Sequence, residues 1–249
     1  MKLRDILSPS FRDYRRPHTP LVVVATDSDF CRETVDSGVL TAEQMAHAAA
    51  RYRLGKSKSG RCIFWMIDEA GKVRDGRIGN EWVSAMMEAR EPVLLRGCRT
   101  VHCLYGLHLV HTENNGHTES TENTERGVTN TNHTNSTNNI SKSVCIVDDE
   151  RTAVILSELF PECLWMATMY PLNLNIRQLE PLRGRHVVLY PHTDSTMSHY
   201  VCWLEIAESA RQHLHMDVTC NRLLEDYATE EQKKRKIDLV GFLTEHTEI

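Results

Sequence analysis

The sequence predicts an α/β protein with a doubly wound parallel sheet in its second half, preceded by a smaller α+β region. Three observations carry this expectation. After residue 143, short apolar runs alternate with helical periodicity, the rhythm of strand–helix–strand units in a parallel sheet. Before residue 111, a capped helix is followed by two strand-like runs joined across a turn. Between them, Thr112 to Ser143 is a run of Asn, Thr, Ser, Glu and His with almost nothing apolar to bury, and reads as a disordered linker. The expected organisation is an α+β region over 1–111, a linker over 112–143 and a second domain over 144–249.

Taken in order, the first region opens with a polar, Arg-bearing segment from Pro9 to Arg16, then an apolar run, Leu21 to Ala25, that reads as a strand. Thr41-Ala42-Glu43-Gln44 has the form of a capping box, so a helix is expected over about 42–53, ending at Gly55. Cys62 to Ile67 and Lys72 to Ile78 read as a hairpin joined across Glu69-Ala70-Gly71. In the second region the expected strands are Val144 to Asp148, Leu164 to Thr168, His186 to Tyr190 and Met216 to Thr219. The helices between them are expected at Thr152 to Phe160, Ile176 to Leu182 and Met197 to Leu214. A second capping box, Thr229-Glu230-Glu231-Gln232, opens a terminal helix expected to run through about Phe242 with Ile237, Leu239 and Val240 inward.

Composition narrows the function classes. At 41% hydrophobic and 25% charged residues the chain is in the range of soluble globular proteins. No apolar run is long enough to span a membrane and the first residues lack a signal-peptide pattern, so the expected setting is cytoplasmic, with no membrane partner. The eight cysteines form no CxxC pair, which excludes a standard zinc knuckle and leaves most of them as small core residues. The net charge of −5 is unevenly divided, positive over the first 111 residues and negative after them. Basic surface for nucleic acid would therefore come from the first region.

In an open parallel sheet, ligands gather beyond the carboxyl ends of the strands. The first strand of the second region is followed by Asp148-Asp149-Glu150, and the third by Pro191-His192-Thr193-Asp194. Carboxylates converging there make an oxygen-rich pocket of the kind that holds Mg²⁺ or Mn²⁺ for phosphoryl transfer. The plainer reading is that Asp149 or Glu150 favours the N-terminus of the helix that follows.

The stretch Val147-Asp148-Asp149-Glu150-Arg151-Thr152-Ala153, with Leu182-Arg183-Gly184-Arg185 and Tyr190-Pro191-His192-Thr193-Asp194 downstream, resembles the toprim domain of a bacterial primase-like family. That family shows V-E-S-E-K-T-A, a Gly-Gly after the second strand, R-G-R and F-P-D-T-D. The segments Arg51 to Gly55, Ile63 to Trp65, Gly71 to Arg74 and Cys103 to His108 are similar to the region that precedes such domains. The resemblance implies a metal-dependent nucleotidyl or phosphoryl transfer on nucleic acid, in DNA replication or mobile-element maintenance. It places acid/base catalysis at Asp148, with Glu150 beside it, and metal ligation at Asp148, His192 and Asp194. Expected partners are single-stranded DNA or another nucleic acid, and a replication partner such as a helicase or a protein carrying the zinc module.

Four positions depart from the family pattern. Asp148 is one methylene shorter than glutamate, His192 stands for an aspartate, Met169-Tyr170 stand for Gly-Gly, and Leu107 stands for glutamate. Imidazole suits Zn²⁺, Mn²⁺ or Ni²⁺ better than Mg²⁺. The second reading is thus a degenerate toprim module that binds nucleic acid or a replication partner without turnover. Phosphate contacts are expected from Arg151, Arg183 and Arg185, and from Arg51, Arg53 and Lys56. Gly55-Lys56-Ser57 is not a P-loop, because Ala50 stands where its first glycine belongs and a helix precedes it. Cys98, His102, Cys103, His108 and His111 match no zinc spacing and read as packing residues. Lys233 to Lys236 reads as a solvated helix face.

Overall fold

The computed structural model describes residues 22–90, 102–110, 142–169 and 174–246, with residues 87–90 described by their backbone only. The Arg-bearing segment at 9–16 lies outside the described residues, as does the Asn/Thr-rich run apart from Lys142 and Ser143.

The first element among the described residues is a helix that the sequence reading missed, α1 (Asp29–Asp36), started by the Ser28 side chain, which accepts a hydrogen bond from the Cys31 backbone N–H. Upstream of it, Val22 to Ala25 form no strand, which corrects the expectation for that apolar run. Ala25 N–H donates to Leu54 O at 2.8 Å, and Val23 and Val24 are 55% and 40% exposed.

Helix α2 (Ala42–Tyr52) carries the full capping box between Thr41 and Gln44. It ends within one residue of the expected 53, and the left-handed residue that terminates it is Arg53, at φ 54°, in place of the expected Gly55. Gly55 opens β1 (Gly55–Lys56) instead, where a Cβ would lie 2.5 Å from Trp65 Nε1. Strands β2 (Cys62–Ile67) and β3 (Val73–Ile78) form the expected hairpin. Asp68 closes its turn by accepting from Ala70 N–H and Lys72 N–H and pairing with Arg74 Nε at 2.6 Å. Short β4 (Glu81–Trp82) completes a four-stranded antiparallel sheet, followed by α3 (Val83–Arg90).

The second region follows the expected alternation closely. In order come β5 (Val144–Val147), α4 (Glu150–Leu159), β6 (Leu164–Ala167), α5 (Ile176–Leu179) with a 3-10 turn to Leu182, β7 (His186–Tyr190), α6 (Ser198–Leu214) and β8 (Asp217–Cys220). The four strands form a parallel sheet in the order β6-β5-β7-β8. The protein is thus mixed α/β, with an antiparallel sheet before the parallel one.

After β8 comes a short α7 (Leu223–Tyr227), then two helices where one was expected: α8 (Glu230–Lys234) and α9 (Leu239–His246). Lys236 turns left-handed at φ 55°, and Asp238 supplies a second start by accepting from Gly241 N–H at 2.8 Å. The capping box at Thr229 to Gln232 is present, but its helix lasts little more than one turn.

One apolar core serves both regions. Phe30, Tyr52, Phe64 and Tyr105 lie in the same buried cluster as Val144 to Val147, Trp165 and Trp203. The Tyr52 hydroxyl donates to Trp165 O at 2.7 Å, and its ring stacks on Tyr105 at 5.3 Å. Residues 102–110 run along the outer edge of β6, where Tyr105 and Ala167 exchange backbone hydrogen bonds of 2.8 and 3.1 Å. Gly106, at φ 83°, makes this approach possible: a Cβ there would sit 3.0 Å from Trp165 O. The far face of the antiparallel sheet buries a smaller cluster around Trp65. Among the described residues no helix is long and apolar enough to cross a membrane.

Candidate functional site

The strand order fixes where a site can form. From β5 the chain crosses to β6 on one side, then returns past β5 to β7 on the other, so a crevice opens at the carboxyl ends of β5 and β7. Asp148 is the first residue after β5, and His192 the second after β7.

The two residues meet there. Asp148 Oδ2 accepts from His192 N–H at 2.7 Å and from His192 Nδ1 at 2.8 Å. His199, on the first turn of α6, brings Nε2 to 3.9 Å from Asp148 Oδ1, and its ring lies 3.8 Å from that of His192. One ligand atom from each of the three residues falls within 4.8 Å of the others. Asp148 Oδ1 is buried with no hydrogen-bond partner.

Asp194 does not join this cluster. Its Oδ1 accepts from Thr196 N–H at 2.7 Å and Ser198 N–H at 3.3 Å, and its Oδ2 from the Ser198 hydroxyl and His199 N–H, both at 2.9 Å. Burial works to raise this carboxyl, but the donors outweigh it and hold it well below the usual carboxylate range. Asp194 therefore holds the loop that leads into α6, while His199 occupies the place expected of it. Sequence reasoning missed His199, whose signal is a histidine seven residues beyond His192 at a helix start.

This donor set does not fit Mg²⁺, which asks for a near-octahedral shell of oxygen. The cluster offers one carboxylate and two imidazoles, and the second carboxylate is committed elsewhere. No step through Mg²⁺ follows from these residues.

Beside Asp148, Asp149 caps α4 by accepting from Arg151 N–H at 2.8 Å, as the plainer reading of the acidic run expected. Glu150 is 2% exposed and turns toward the antiparallel sheet, where its Oε1 meets Arg77 Nε at 3.0 Å. Its Oε2 is buried without a partner. Burial and the Asp149 charge raise Glu150 to about 8, with Arg77 working the other way. The Arg77 guanidinium also donates to Gly79 O and Met169 O. Met169, where the toprim pattern has glycine, keeps a glycine-like φ of 60°. Arg77, from β3, was not singled out in the sequence; only the packing of the two sheets brings it to this edge.

Two clefts flank Asp149. One, of about 300 Å³, is lined by Arg61, Arg77, Asn80, Glu150 and Arg151 among others. Its neighbour, of about 320 Å³, reaches Asp148 and His192 and is lined by Arg77, Asn80, Lys236 and Asp238. Of the expected phosphate contacts, only Arg151 lines either cleft. Arg183 and Arg185 sit before β7, at the opposite end of that strand from His192, and Arg185 donates to Val110 O at 3.3 Å. Arg51 and Arg53 end α2, and Lys56 pairs with Asp27 beside a different cavity. Arg61 and Lys236 take their places. The Arg61 guanidinium forms no ion pair among the described residues.

A family model described as a domain of unknown function, DUF6371, matches residues 34–124 and 131–193. No curated protein and no solved structure matches the chain.

Proposed function

The chain belongs to the DUF6371 family, whose model covers more than half of it, and we propose that it is a toprim-like module that binds single-stranded nucleic acid without Mg²⁺-dependent turnover. The observation that carries the reading is the cleft beside Asp149, where Arg61, which forms no ion pair among the described residues, and Arg151 at the start of α4 meet, with Arg77 held in place by Glu150, Gly79 O and Met169 O, and with Asp29, Asp149 and Glu150 also in the lining. Guanidinium groups match phosphate oxygens with paired donors, and a helix N-terminus adds its own N–H groups and positive potential. Lys236 adds a cation to the adjoining cleft, which Asp148, Asp149 and Asp238 also line. The resemblance to primase-like proteins supports nucleic acid as the source of the phosphates. The nucleotidyl transfer that the same resemblance implies lacks its carboxylate pair, because Asp194 is spent on the start of α6.

The test is fluorescence anisotropy of a labelled single-stranded oligonucleotide. Binding is expected in EDTA, with no requirement for Mg²⁺, and weaker as salt rises. Arg61→Ala and Arg151→Ala should each reduce the salt slope by about 0.7, the value for one lost phosphate contact on a single strand. No binding at low salt, or binding only with Mg²⁺, refutes the proposal.

A further inference from the structure

We infer that Asp148, His192 and His199 form a binding site for a transition-metal dication of the Zn²⁺ type. This goes beyond the nucleic-acid reading and does not depend on it. The starting point is the disagreement with Mg²⁺. One carboxylate oxygen and two imidazole nitrogens are the donors that Zn²⁺ takes in sites keeping one position open, at bonds of about 2.0–2.2 Å.

The geometry is close to what such an ion needs. Two ligands at those bond lengths in a tetrahedral shell stand roughly 3.3–3.6 Å apart. His192 Nδ1 and Asp148 Oδ2 are 2.8 Å apart, His199 Nε2 and Asp148 Oδ1 3.9 Å, and the three ligand atoms all lie within 4.8 Å. Side-chain shifts of no more than about 1 Å bring these separations to the tetrahedral values. The ion takes the place of the hydrogen bond between His192 Nδ1 and Asp148; the neutral ring then carries its single proton on Nε2, which leaves the Nδ1 lone pair to the ion.

A second observation, made on the carboxylate of this cluster, also points to a ligand. Asp148 Oδ1 is buried and has no hydrogen-bond partner, although the Asp148 side chain is only 7% exposed. An unsatisfied buried charged oxygen is costly, and a cation facing it would remove that cost. The supporting contacts are those a metal site requires. His192 N–H fixes the carboxylate through Oδ2. Asp194 grips His199 N–H at 2.9 Å, so it acts as a positioning residue for His199. Asp148 and His192 also line the cleft that holds Lys236 and Arg77, from which water or an anionic oxygen could reach the ion.

The experiment titrates Zn²⁺ and then Co²⁺ into the full-length, metal-free protein, by calorimetry and by visible absorption. One site per chain is expected, with a Co²⁺ spectrum that lacks thiolate charge transfer, and with Mg²⁺ in large excess failing to compete. His192→Ala and His199→Ala should each weaken binding at least about 100-fold. His186→Ala, altered at the opposite end of β7, should leave it unchanged. His199→Gln provides a second variant of matched size, and circular dichroism and melting of each apo variant establish that it is folded. In the wild type itself, Zn²⁺ and not Mg²⁺ should raise the Tm. Undiminished affinity in the folded His199 variants, a thiolate band in the Co²⁺ spectrum, or equal binding of Mg²⁺ overturns the inference.

Discussion

Replacing Asp194 by alanine separates two roles that the same residue could play. As a metal ligand it would be expendable for stability; as the anchor of α6 it is not. Its carboxylate accepts from the backbone N–H groups of Thr196, Ser198 and His199. Loss of a capping side chain costs up to about 2 kcal/mol, and three backbone donors put Asp194 at the upper end of that range. For a chain of this size 1 kcal/mol corresponds to about 2–4 °C in Tm, so Asp194→Ala should melt about 4–8 °C lower at pH 7. Asp194→Asn keeps an acceptor oxygen and should lose less. The sign with pH is set by the depressed carboxyl: its stabilisation is present above the unfolded value near 4 and is lost as the pH falls through the folded one. The gap between wild type and Asp194→Ala should therefore narrow below about pH 4. Scanning calorimetry at stepped pH, with Zn²⁺ titration of the same variant, reads both roles. An unchanged Tm together with abolished Zn²⁺ binding would sink the anchoring argument; a lowered Tm with binding weakened no more than about 10–100-fold supports it.

Other consequences are equally direct. His108 is buried against Arg51 O, and burial lowers its pKa to about 4, so wild-type stability should fall as the pH drops from about 6.5 toward 4; His108→Gln, which cannot titrate, should flatten that limb in urea melts. Glu150 has the opposite sign: raised to about 8, it contributes stability below its unfolded value near 4.5 that is lost as the pH rises toward 8, and Glu150→Gln should remove this slope. Gly106→Ala places a methyl 3.0 Å from Trp165 O at a left-handed φ, and should cost about 2 kcal/mol or more in chemical denaturation. An unshifted urea midpoint in Gly106→Ala would contradict the close approach of residues 102–110 to β6.

Much of the parallel sheet was readable because its strands are short continuous apolar runs, each ended by a polar group or a helix cap. That the loop after β7 meets Asp148 could be read from sequence, since adjacent parallel strands end at one edge; that reading brought Asp194 to Asp148, whereas His192 came from the family resemblance and is the residue that makes the contact. What escaped was set by tertiary contact. Arg77 reaches the edge from the antiparallel sheet, and His199 from a helix whose start depends on the Asp194 loop. Arg183 and Arg185 seemed close in sequence to β7, but they lie before it, and a strand of five residues separates its two ends by about 15 Å. The break between α8 and α9 was legible in principle, because Asp238 before an apolar run is itself a helix start; the basic run Lys233 to Lys236 hid it behind good helix formers.

The common core makes the chain indivisible in a practical sense. Tyr52 and Tyr105, from one side of the Asn/Thr-rich run, complete the interior beneath Trp165 and Ala153 from the other. Fragments cut within that run would each expose the apolar face the other had covered, and would aggregate when made alone. Produced together they should reassemble, with an affinity that reports the strength of the shared interior. A split reporter built at this junction would therefore respond to the presence of its missing half, with no engineered interface added.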